Sequence, residues 1–258
     1  MSDANTQFFV LRKSLFAYFN TSPWGVLNHF IPALRDKVHV VSITERLIEY
    51  PFIHENIPFN GRSNILDVGS GSTTLPFELA GKGYKVWAFD LKTQYRKGLR
   101  HERLTFVEGD IRQTNFPRAF FDIVTAVSSI EHIGFDGDSI NPQGDKKALQ
   151  ELARILKPGG KLLMTVPFGR RGIYSGSTAW DANRKGRPLF RVHDLRSLEE
   201  LLGHFEIEKM EFGLRREGGW APATLKEVEK VDSLSQPKWY SSKVVAMVVA
   251  RKPPRHGE

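Results

Sequence analysis

The segment Asn64–Thr74, NILDVGSGSTT, constrains this chain more than any other. A short apolar run followed by Asp67 and then by Gly69-Ser70-Gly71 predicts a strand that turns directly into a helix. Such a turn leaves unpaired backbone N–H groups pointing at one place, and its glycines let a ligand approach the main chain closely. The segment therefore predicts a binding site for a nucleotide-like group.

Two further positions refine this prediction. Thr74 stands where the dinucleotide-binding pattern G-x-G-x-x-G requires its third glycine, which disfavours a nicotinamide dehydrogenase. Asp90 closes the next strand-like run, KVWAFD, nineteen positions after Gly71. An acid at the end of the second strand is placed to bind the two hydroxyls of a ribose.

From Asn64 onward, strand-like and helix-like segments alternate, which is typical of a parallel sheet covered by helices on both faces. The predicted strands lie near residues 64–69, 84–89, 104–108, 121–127, 160–166, 205–212 and 243–250. The predicted helices lie near residues 74–81, 92–99, 145–156 and 195–203, and the run Lys157–Gly160 is expected to end the third of them. We expect a doubly wound α/β fold whose ligands lie beyond the carboxyl ends of the strands.

The chain divides into a predicted helical extension (residues 1–60), a main domain (61–252) and a basic tail (253–258). In the extension, apolar residues at helical spacing predict an amphipathic helix that packs on the domain or forms a lid: Phe8, Leu11, Leu15, Phe16 and Phe19. Prolines break the rest into short pieces, one of which, Val41–Tyr50, has a helical pattern; they are Pro23, Pro32, Pro51 and Pro58.

Composition excludes several classes of protein. The 258 residues include no cysteine, so disulfides, zinc–thiolate sites and a cysteine nucleophile are excluded. The apolar run VVAMVVA is too short to span a bilayer, and the N-terminus lacks the pattern of a signal peptide, so we expect a cytoplasmic protein. Lysine and arginine number 37 against 29 acidic residues, and this excess favours anionic partners.

Five segments, in this order and spacing, resemble the successive motifs of the class I S-adenosylmethionine-dependent methyltransferases: ILDVGSGSTTLPFELA, YKVWAFDL, LTFVEGDI, FDIVTAVSSIEHIG and RILKPGGKLLMTVPFG. The resemblance covers about residues 62–168. It implies a Rossmann-like, mostly parallel sheet of seven strands with an antiparallel last strand. It also implies S-adenosylmethionine as the cofactor.

The resemblance implies a cofactor site at the strand ends. The predicted contacts are Asp67, Gly69, Ser70, Gly71, Asp90, Leu91, Asp110, Ile111 and Ser128. In this assignment the glycine turn lies along the methionine part, Asp67 lies near its amino group, and Asp90 binds the ribose hydroxyls. Asp110 and Ile111 lie around the adenine. Carboxylates suit a ligand that carries an ammonium and a sulfonium, whereas the alternative for each acid is a helix cap or turn.

Glu131 and His132 follow the fourth predicted strand and are the predicted catalytic residues. A hydroxyl acceptor must lose a proton during methyl transfer, and an imidazole titrates near working pH. The family resemblance implies either that His132 is this base or that it shapes the pocket. Glu131 is expected to support the cofactor loop or to orient the histidine.

Residues 170–191 combine basic and aromatic side chains and are expected to border the acceptor pocket. Arginines suit phosphate or carboxylate groups and aromatic rings suit sugars or bases, so the segment favours an anionic acceptor; the alternative is a solvated loop. The predicted substrate-binding residues are Tyr174, Arg184, Arg187, Arg191 and His193.

The loop GFDGDSINPQGD places three acids soon after His132: Asp136, Asp138 and Asp145. Oxygen-rich loops can bind Mg²⁺ or Ca²⁺, but this loop lacks the bidentate Glu at the twelfth position of a calcium loop. We therefore predict no metal site, with Asp145 as a helix cap.

The sequence thus predicts a methyltransferase that uses S-adenosylmethionine to O-methylate a sugar, a glycan precursor or another small polar acceptor. The glycan preference comes from the layout of SIEHIG and TVPFG, which resembles bacterial methyltransferases linked to surface polysaccharides. An RNA methyltransferase and a catalytically silent protein that retains the cofactor fold are the alternatives.

Overall fold

The computed structural model describes residues 45–254, except residues 59, 72, 93–97, 136–139, 176–187, 218, 230 and 233–241. Three predicted segments lie wholly or mostly outside the described residues. They are the amphipathic helix with Phe8–Phe19, the helix near 92–99 and the last four residues of the basic tail. The extension at residues 1–60 is described only from Glu45 onward, so its role as a lid stays a prediction.

The described helices are α1 (Arg46–Asn56), α2 (Leu75–Gly81), α3 (Gly144–Ile155), α4 (Leu195–Leu201) and α5 (Leu225–Val228), with a short 3₁₀ helix at Ile130–His132. The strands of the main sheet are β1 (Asn64–Val68), β2 (Lys85–Asp90), β3 (Leu104–Glu108), β4 (Phe121–Val127), β5 (Leu156–Pro167), β8 (Glu206–Arg216), β9 (Gly219–Ala223) and β10 (Val244–Arg251). A separate hairpin consists of β6 (Gly172–Ser175) and β7 (Pro188–Val192). Of these helices, none is long and apolar enough to cross a membrane.

The main sheet confirms the predicted α/β architecture. Its strand order is β3-β2-β1-β4-β5-β10-β8-β9, and the five strands from β3 to β5 are parallel. Strand β10 runs antiparallel to both β5 and β8, as the family resemblance implied. The predicted count of seven strands is wrong, because the described sheet has eight. The additional strand, β9, contains Gly219 and Pro222, and Pro is tolerated at this edge position.

Two predicted boundaries are also corrected. Helix α1 continues through Pro51 to Asn56, although a proline inside a helix removes one hydrogen bond. Strand β5 begins at Leu156, directly after α3, and so includes the Pro-Gly-Gly run, at which its register with β4 shifts. This run remains paired because Gly159 N–H donates to Lys252 O and Lys252 N–H donates to Gly160 O, both at 2.9 Å.

The core lies on both faces of the sheet, because successive strand residues point to opposite sides. Leu66, Val124 and Leu162 belong to one buried cluster, which includes residues of α3 and α4. Their neighbours in sequence belong to the opposite cluster, with residues of α1 and α2: Ile65, Ile123 and Leu163. All six strand residues are buried. The strands therefore form a rigid layer whose carboxyl ends position the residues that follow them.

Helix α1 is fitted closely against strand β8. A Cβ atom added to Gly213 would lie 1.9 Å from Ile48 Cδ1, so the absence of a side chain at Gly213 lets the helix approach. At the start of the helix, Glu49 accepts hydrogen bonds from Ser128 Oγ and Thr165 Oγ1, both at 2.6 Å. These two hydroxyls lie at the carboxyl ends of β4 and β5, so α1 begins at the ligand-binding edge of the sheet.

A close backbone crossing fixes the chain after His132. Gly134 has a φ of +92°, and a Cβ atom there would lie 2.2 Å from Asn141 O. Gly98 has a similar φ of +87°, but a Cβ atom added there would have no described atom within 4 Å apart from its chain neighbours. Substitution of Gly98 therefore tests backbone strain alone, whereas substitution of Gly134 tests backbone strain together with steric overlap.

We expect Gly134→Ala to lower the free energy of unfolding by at least about 3 kcal/mol, because strain and overlap act together. Gly98→Ala should cost only about 1 kcal/mol, the usual cost of a left-handed alanine. Urea titrations of both variants measure this difference. Equal losses would show that the crossing at Asn141 adjusts without cost.

Candidate active site

The glycine turn after β1 has the conformation that the sequence predicts. Gly69 and Gly71 have φ values of +69° and +44°, in the left-handed region that favours glycine. The N–H groups of Gly69 and Ser70 donate to Phe89 O at 2.9 and 3.2 Å, which joins the turn to the end of β2. A Cβ atom on Gly69 would lie 2.4 Å from Ser129 Cβ, so the turn also touches the segment after β4.

Asp90 lies beside this turn at the end of β2. Its Oδ2 accepts a hydrogen bond from Gly71 N at 2.8 Å, and its Oδ1 accepts one from Lys92 N at 3.3 Å. These bonds fix the carboxylate, while the remaining lone pairs of its two oxygens can accept ligand hydroxyls. Leu91, the next residue, is 46% exposed and lies beside the same strand end.

Asp67 is buried at the end of β1 and accepts a hydrogen bond from Thr125 Oγ1 at 2.6 Å. Tyr50 of α1, which sequence reasoning missed, is close enough to interact electrostatically with Asp67 and to hydrogen-bond to Thr73. Burial raises the pKa of Tyr50, and the negative charge of Asp67 acts in the same direction. Helix α1 therefore reaches both the turn and the acid below it.

Asp110 follows β3 but is engaged by Arg112. Arg112 Nε donates to both carboxylate oxygens at 2.9 Å, and Arg112 N donates to Oδ1 at the same distance. The hydrogen bonds from Arg112 lower the pKa of Asp110. Asp110 is thus held in a local turn by Arg112, and Ile111 is buried; their contact with the adenine stays a prediction.

Together these residues fit S-adenosylmethionine. The turn has no side chain at Gly69 or Gly71 to block a ligand, and the carboxylates of Asp67 and Asp90 lie at the ends of the adjacent strands; their contacts with the ammonium and the ribose stay predictions. In the described part of the chain, Ser129 Oγ is buried without a hydrogen-bond partner, beside Gly69. A buried polar atom of this kind is satisfied by a ligand or by water.

A network around Glu49 holds Ser128 in place after β4. Ser128 has an unusual φ of +45°, and its N–H donates to Thr165 O at 3.1 Å. Glu49 is completely buried and pairs with Arg46 in addition to accepting the hydroxyls of Ser128 and Thr165. The strained backbone of Ser128 persists because both its main chain and its side chain are bonded.

A cavity of about 110 Å³ adjoins this network, and we call it the Glu131 cavity. It lies between the start of α1, the segment after β4, and strands β7, β9 and β10. Its lining residues are Glu45, Arg46, Ser128, Glu131, His132, Pro167, Phe190, Trp220, Ser242, Val244 and Val245. Sequence reasoning identified Glu131 and His132 but missed Glu45, Arg46 and Trp220, which are distant from them in the chain.

Glu131 is 2% exposed, and no hydrogen-bond partner of its Oε2 is found among the described residues. Burial raises the pKa of Glu131 to about 8, and the nearby charge of Glu49 also raises it. Glu131 is therefore mainly protonated at neutral pH, although the positive charge of Arg46 favours its ionised form.

His132 is fixed by the hairpin. Its Nδ1 lies 2.7 Å from Leu189 O, and because a carbonyl only accepts, Nδ1 carries the hydrogen. In the neutral ring the lone pair is then on Nε2, which lies 3.8 Å from Glu131 Oε1. The Phe190 ring stands edge-on to the imidazole and stacks on Tyr174, with centroids 4.9 Å apart. Tyr174 thus supports the wall formed by Phe190.

Arg191 is buried and bound by the protein chain itself, which gives it a structural role in place of the predicted acceptor contact. It pairs with Asp145 at 3.3 Å and lies 4.0 Å above the centre of the Phe135 ring. Its guanidinium also donates to four backbone carbonyls, those of Glu131, Ile133, Asn141 and Pro142. These contacts secure the backbone on either side of Glu131. The other predicted arginines, Arg184 and Arg187, lie outside the described residues.

His193 does not line the Glu131 cavity. It lines a second cavity of about 540 Å³ on the other side of Arg191, and its Nε2 is buried with no partner among the described residues. Burial lowers the pKa of His193 to about 4. The following residue, Asp194, caps α4 by accepting from Ser197 N at 2.8 Å.

No group of three or more His, Asp or Glu side chains among the described residues is arranged to hold a metal ion. Asp145 is paired with Arg191 and does not form a helix cap. Asp136 and Asp138 lie outside the described residues.

The buried His193 predicts a specific acid sensitivity. Its pKa falls from 6.5 to about 4 on folding, so the unfolded state binds the proton more tightly. This stabilising contribution is present above pH 6.5 and is lost as pH falls towards 4, by about 3 kcal/mol in total. Chemical unfolding across this range should show a steeper loss in the wild type than in His193→Gln. Parallel profiles for the two proteins would contradict the prediction.

Comparison with known proteins supports the same reading of the fold. Residues 66–164 match the family model described as a methyltransferase domain. The chain is 32% identical over 119 residues to a demethylmenaquinone methyltransferase from Clavibacter sepedonicus, covering 42% of this chain and 45% of that protein. It is 29% identical over 129 residues to the ubiquinone/menaquinone biosynthesis C-methyltransferase UbiE of Pectobacterium carotovorum, covering 46% and 47%. The chain thus spans about half the length of these curated relatives.

Solved structures share the fold at low sequence identity. A crystal structure of a SAM-dependent methyltransferase from Methanosarcina mazei aligns with a TM-score of 0.52 and 19% identity, covering 80% of this chain and 99% of that one. The [4+2]-cyclase SpnF aligns with a TM-score of 0.54 and 20% identity, covering 80% of each chain. A cyclase on the same fold shows that the fold alone does not determine the reaction. Residues 66–164 therefore match a methyltransferase domain, the chain shares the fold of a SAM-dependent methyltransferase, and the comparisons support S-adenosylmethionine as its cofactor.

Proposed function

We propose that this protein transfers the methyl group of S-adenosylmethionine to a hydroxyl of a small polar acceptor. The observation that carries the proposal is the Glu131 cavity, which is lined by His132 and by buried polar atoms that have no hydrogen-bond partner among the described residues. Ser128 lines this cavity, and the next residue, Ser129, contacts Gly69. The acceptor and cofactor regions are thus separated by one segment of chain.

The cofactor supplies an electrophilic methyl group on a sulfonium. The chain's contribution is to position it: Asp90 accepts the ribose hydroxyls, and the turn at Gly69–Gly71 accommodates the methionine part. Asp67 lies below the turn and is held by Thr125. Alignment of the acceptor with the methyl group and exclusion of water account for much of the catalysis in such a displacement.

His132 is suited to remove the proton of a hydroxyl acceptor. Its hydrogen bond to Leu189 O directs the lone pair to Nε2, and its neighbour Glu131 is also a lining residue of the cavity. An unperturbed imidazole titrates close to neutral pH, and this property suits a general base. This arrangement supports the assignment of His132 as the base over a purely shaping role.

The acceptor group that enters the cavity must be small, because the cavity measures about 110 Å³. Sugars and glycan precursors are the acceptors towards which the sequence points. The relatives have names that refer to different acceptors, including an eEF1A lysine and N-terminal methyltransferase from Bos taurus that is 28% identical over 148 residues. The names of the relatives therefore do not indicate which acceptor this protein uses, and the proposed acceptor is inferred from the Glu131 cavity.

The direct test is incubation of the purified protein with methyl-labelled S-adenosylmethionine and a fractionated cell extract. We expect label to enter the small, polar fraction as an alkali-stable methyl ether. Label found only in RNA would support the RNA methyltransferase instead. Absence of transfer from a protein that binds the cofactor would support a catalytically silent domain.

The cofactor assignment predicts the effect of Asp90→Ala. This change removes the acceptor for two ribose hydroxyls, and charged hydrogen bonds of about 1.5–3 kcal/mol imply at least about tenfold weaker binding of S-adenosylhomocysteine. Calorimetry measures the affinity, with NAD as the ligand that the wild type should not prefer. An unchanged affinity in the variant would remove Asp90 from the cofactor site.

The base assignment predicts that His132→Ala lowers the rate of methyl transfer by about 10²-fold or more and leaves the affinity for S-adenosylhomocysteine nearly unchanged. The exposed His204 is the matched control, because it lies two residues before β8, at the edge of the sheet opposite the carboxyl ends of the parallel strands. Single-turnover rates across a range of pH separate chemistry from binding. A loss of only a few-fold would make His132 a pocket-shaping residue.

A further inference from the structure

The described residues that line the Glu131 cavity include more carboxyl groups than guanidinium groups. Two glutamates, Glu45 and Glu131, line it together with a single guanidinium, that of Arg46. Arg46 forms a salt bridge with Glu49, which is not among the lining residues. Among the lining residues that the structure describes, carboxyl groups therefore outnumber guanidinium groups by two to one, and Arg215 also acts on Glu45 from outside the lining.

Three buried atoms of the lining residues have no hydrogen-bond partner among the described residues: Glu45 Oε2, Glu131 Oε2 and Trp220 Nε1. Glu131 and Trp220 are only 2% and 7% exposed. An unsatisfied buried polar group is destabilising, so three such groups in one cavity favour a ligand that forms hydrogen bonds with them. Two of these atoms accept hydrogen bonds when ionised, and the indole N–H only donates.

Aromatic rings complete the wall, since Phe190 and Trp220 both line the cavity. Phe190 is held in position by its stacking on Tyr174. Aromatic faces attract cations, and the attraction is stronger where water is excluded. Carboxyl groups and aromatic rings thus favour the same kind of ligand group, a protonated nitrogen.

We propose, building on the methyl transfer proposed above, that the acceptor is an amino alcohol whose ammonium group binds between Glu45 and Glu131 while an adjacent hydroxyl faces His132. Glu131 Oε1 and His132 Nε2 are 3.8 Å apart, so groups on neighbouring carbons of one molecule can reach both. An oxygen of the same molecule accepts the N–H of Trp220. Amino sugars belong to this class of compounds.

The nitrogen is a binding group and is not the methylated atom. As an ammonium it has no lone pair with which to attack the cofactor, whereas the hydroxyl becomes nucleophilic when His132 takes its proton. The new bond joins this oxygen to the methyl carbon, the carbon–sulfur bond of the cofactor breaks, and the electron pair returns to sulfur. S-adenosylhomocysteine is the other product, and no further reactant is needed.

Binding of an ammonium group should release the proton from the carboxyl group of Glu131. Glu131 faces Glu45, Arg46 and Glu49 at the start of α1, His132 in its own segment and Arg191 from β7. Burial raises the pKa of Glu131 to about 8, and a bound cation favours its ionised form. The affinity for an amine that stays protonated should therefore increase between pH 6.5 and pH 8.

The test uses three small probes in the presence and absence of S-adenosylhomocysteine: 2-aminoethanol, ethylene glycol and ethylamine. Ligand-observed NMR titration should show 2-aminoethanol binding at least tenfold more tightly than ethylene glycol, in which a hydroxyl replaces the ammonium. Equal binding of these two probes by the wild type would overturn the proposal. Failure to bind S-adenosylhomocysteine would instead overturn the proposed function, which makes the two failures distinguishable.

Two variants and a control localise the binding. Glu131→Gln should abolish the preference for 2-aminoethanol and its pH dependence, whereas Glu102→Gln, at a side chain that is 81% exposed, should change neither. Trp220→Phe keeps an aromatic ring but removes the indole N–H. It should weaken the binding of 2-aminoethanol several-fold and leave the affinity for ethylamine, which has no oxygen, unchanged. Unchanged S-adenosylhomocysteine affinity verifies that each variant is folded. Retention of the amine preference by Glu131→Gln would overturn the proposal.

Discussion

The candidate active site depends on one buried carboxylate. Glu49 accepts the hydroxyl groups of Ser128 and Thr165 and pairs with Arg46, so it joins α1 to the ends of β4 and β5. Removal of a partner from a buried, charged hydrogen bond is costly because the remaining group stays desolvated. Helix α1 is therefore not a loosely attached extension. It forms part of the wall between the cofactor turn and the Glu131 cavity.

The sheet brings the other components to this wall. Parallel strands β1, β2 and β4 end at one edge, which places the turn at Gly69, the carboxylate of Asp90 and the segment at Ser128 next to one another. The contacts between these segments are close, since Gly69 would overlap Ser129 if it had a side chain. The site is rigid where the cofactor binds because the residues that form it also hold the strand ends together.

The charges around the Glu131 cavity differ from the basic character of the whole chain. The net charge is +8, yet the described wall of the cavity contains more carboxyl groups than guanidinium groups. Arg191 does not line this cavity, because it is bonded to the backbone around Glu131 and forms an ion pair with Asp145. The average charge of a protein therefore says little about the group that a particular buried cavity binds.

The sequence by itself determined the α/β fold, the parallel order of the first strands and the positions of the glycine turn, Asp67 and Asp90. These features follow from local patterns, because apolar runs, glycines and strand-end acids occur within short segments. The tertiary structure alone decided the eighth strand, the engagement of Asp110 by Arg112 and the cavity formed by Glu45, Glu131 and Trp220. Burial and pairing between residues as distant as Glu49 and Thr165 depend on how the chain folds back on itself, and no local pattern contains that information.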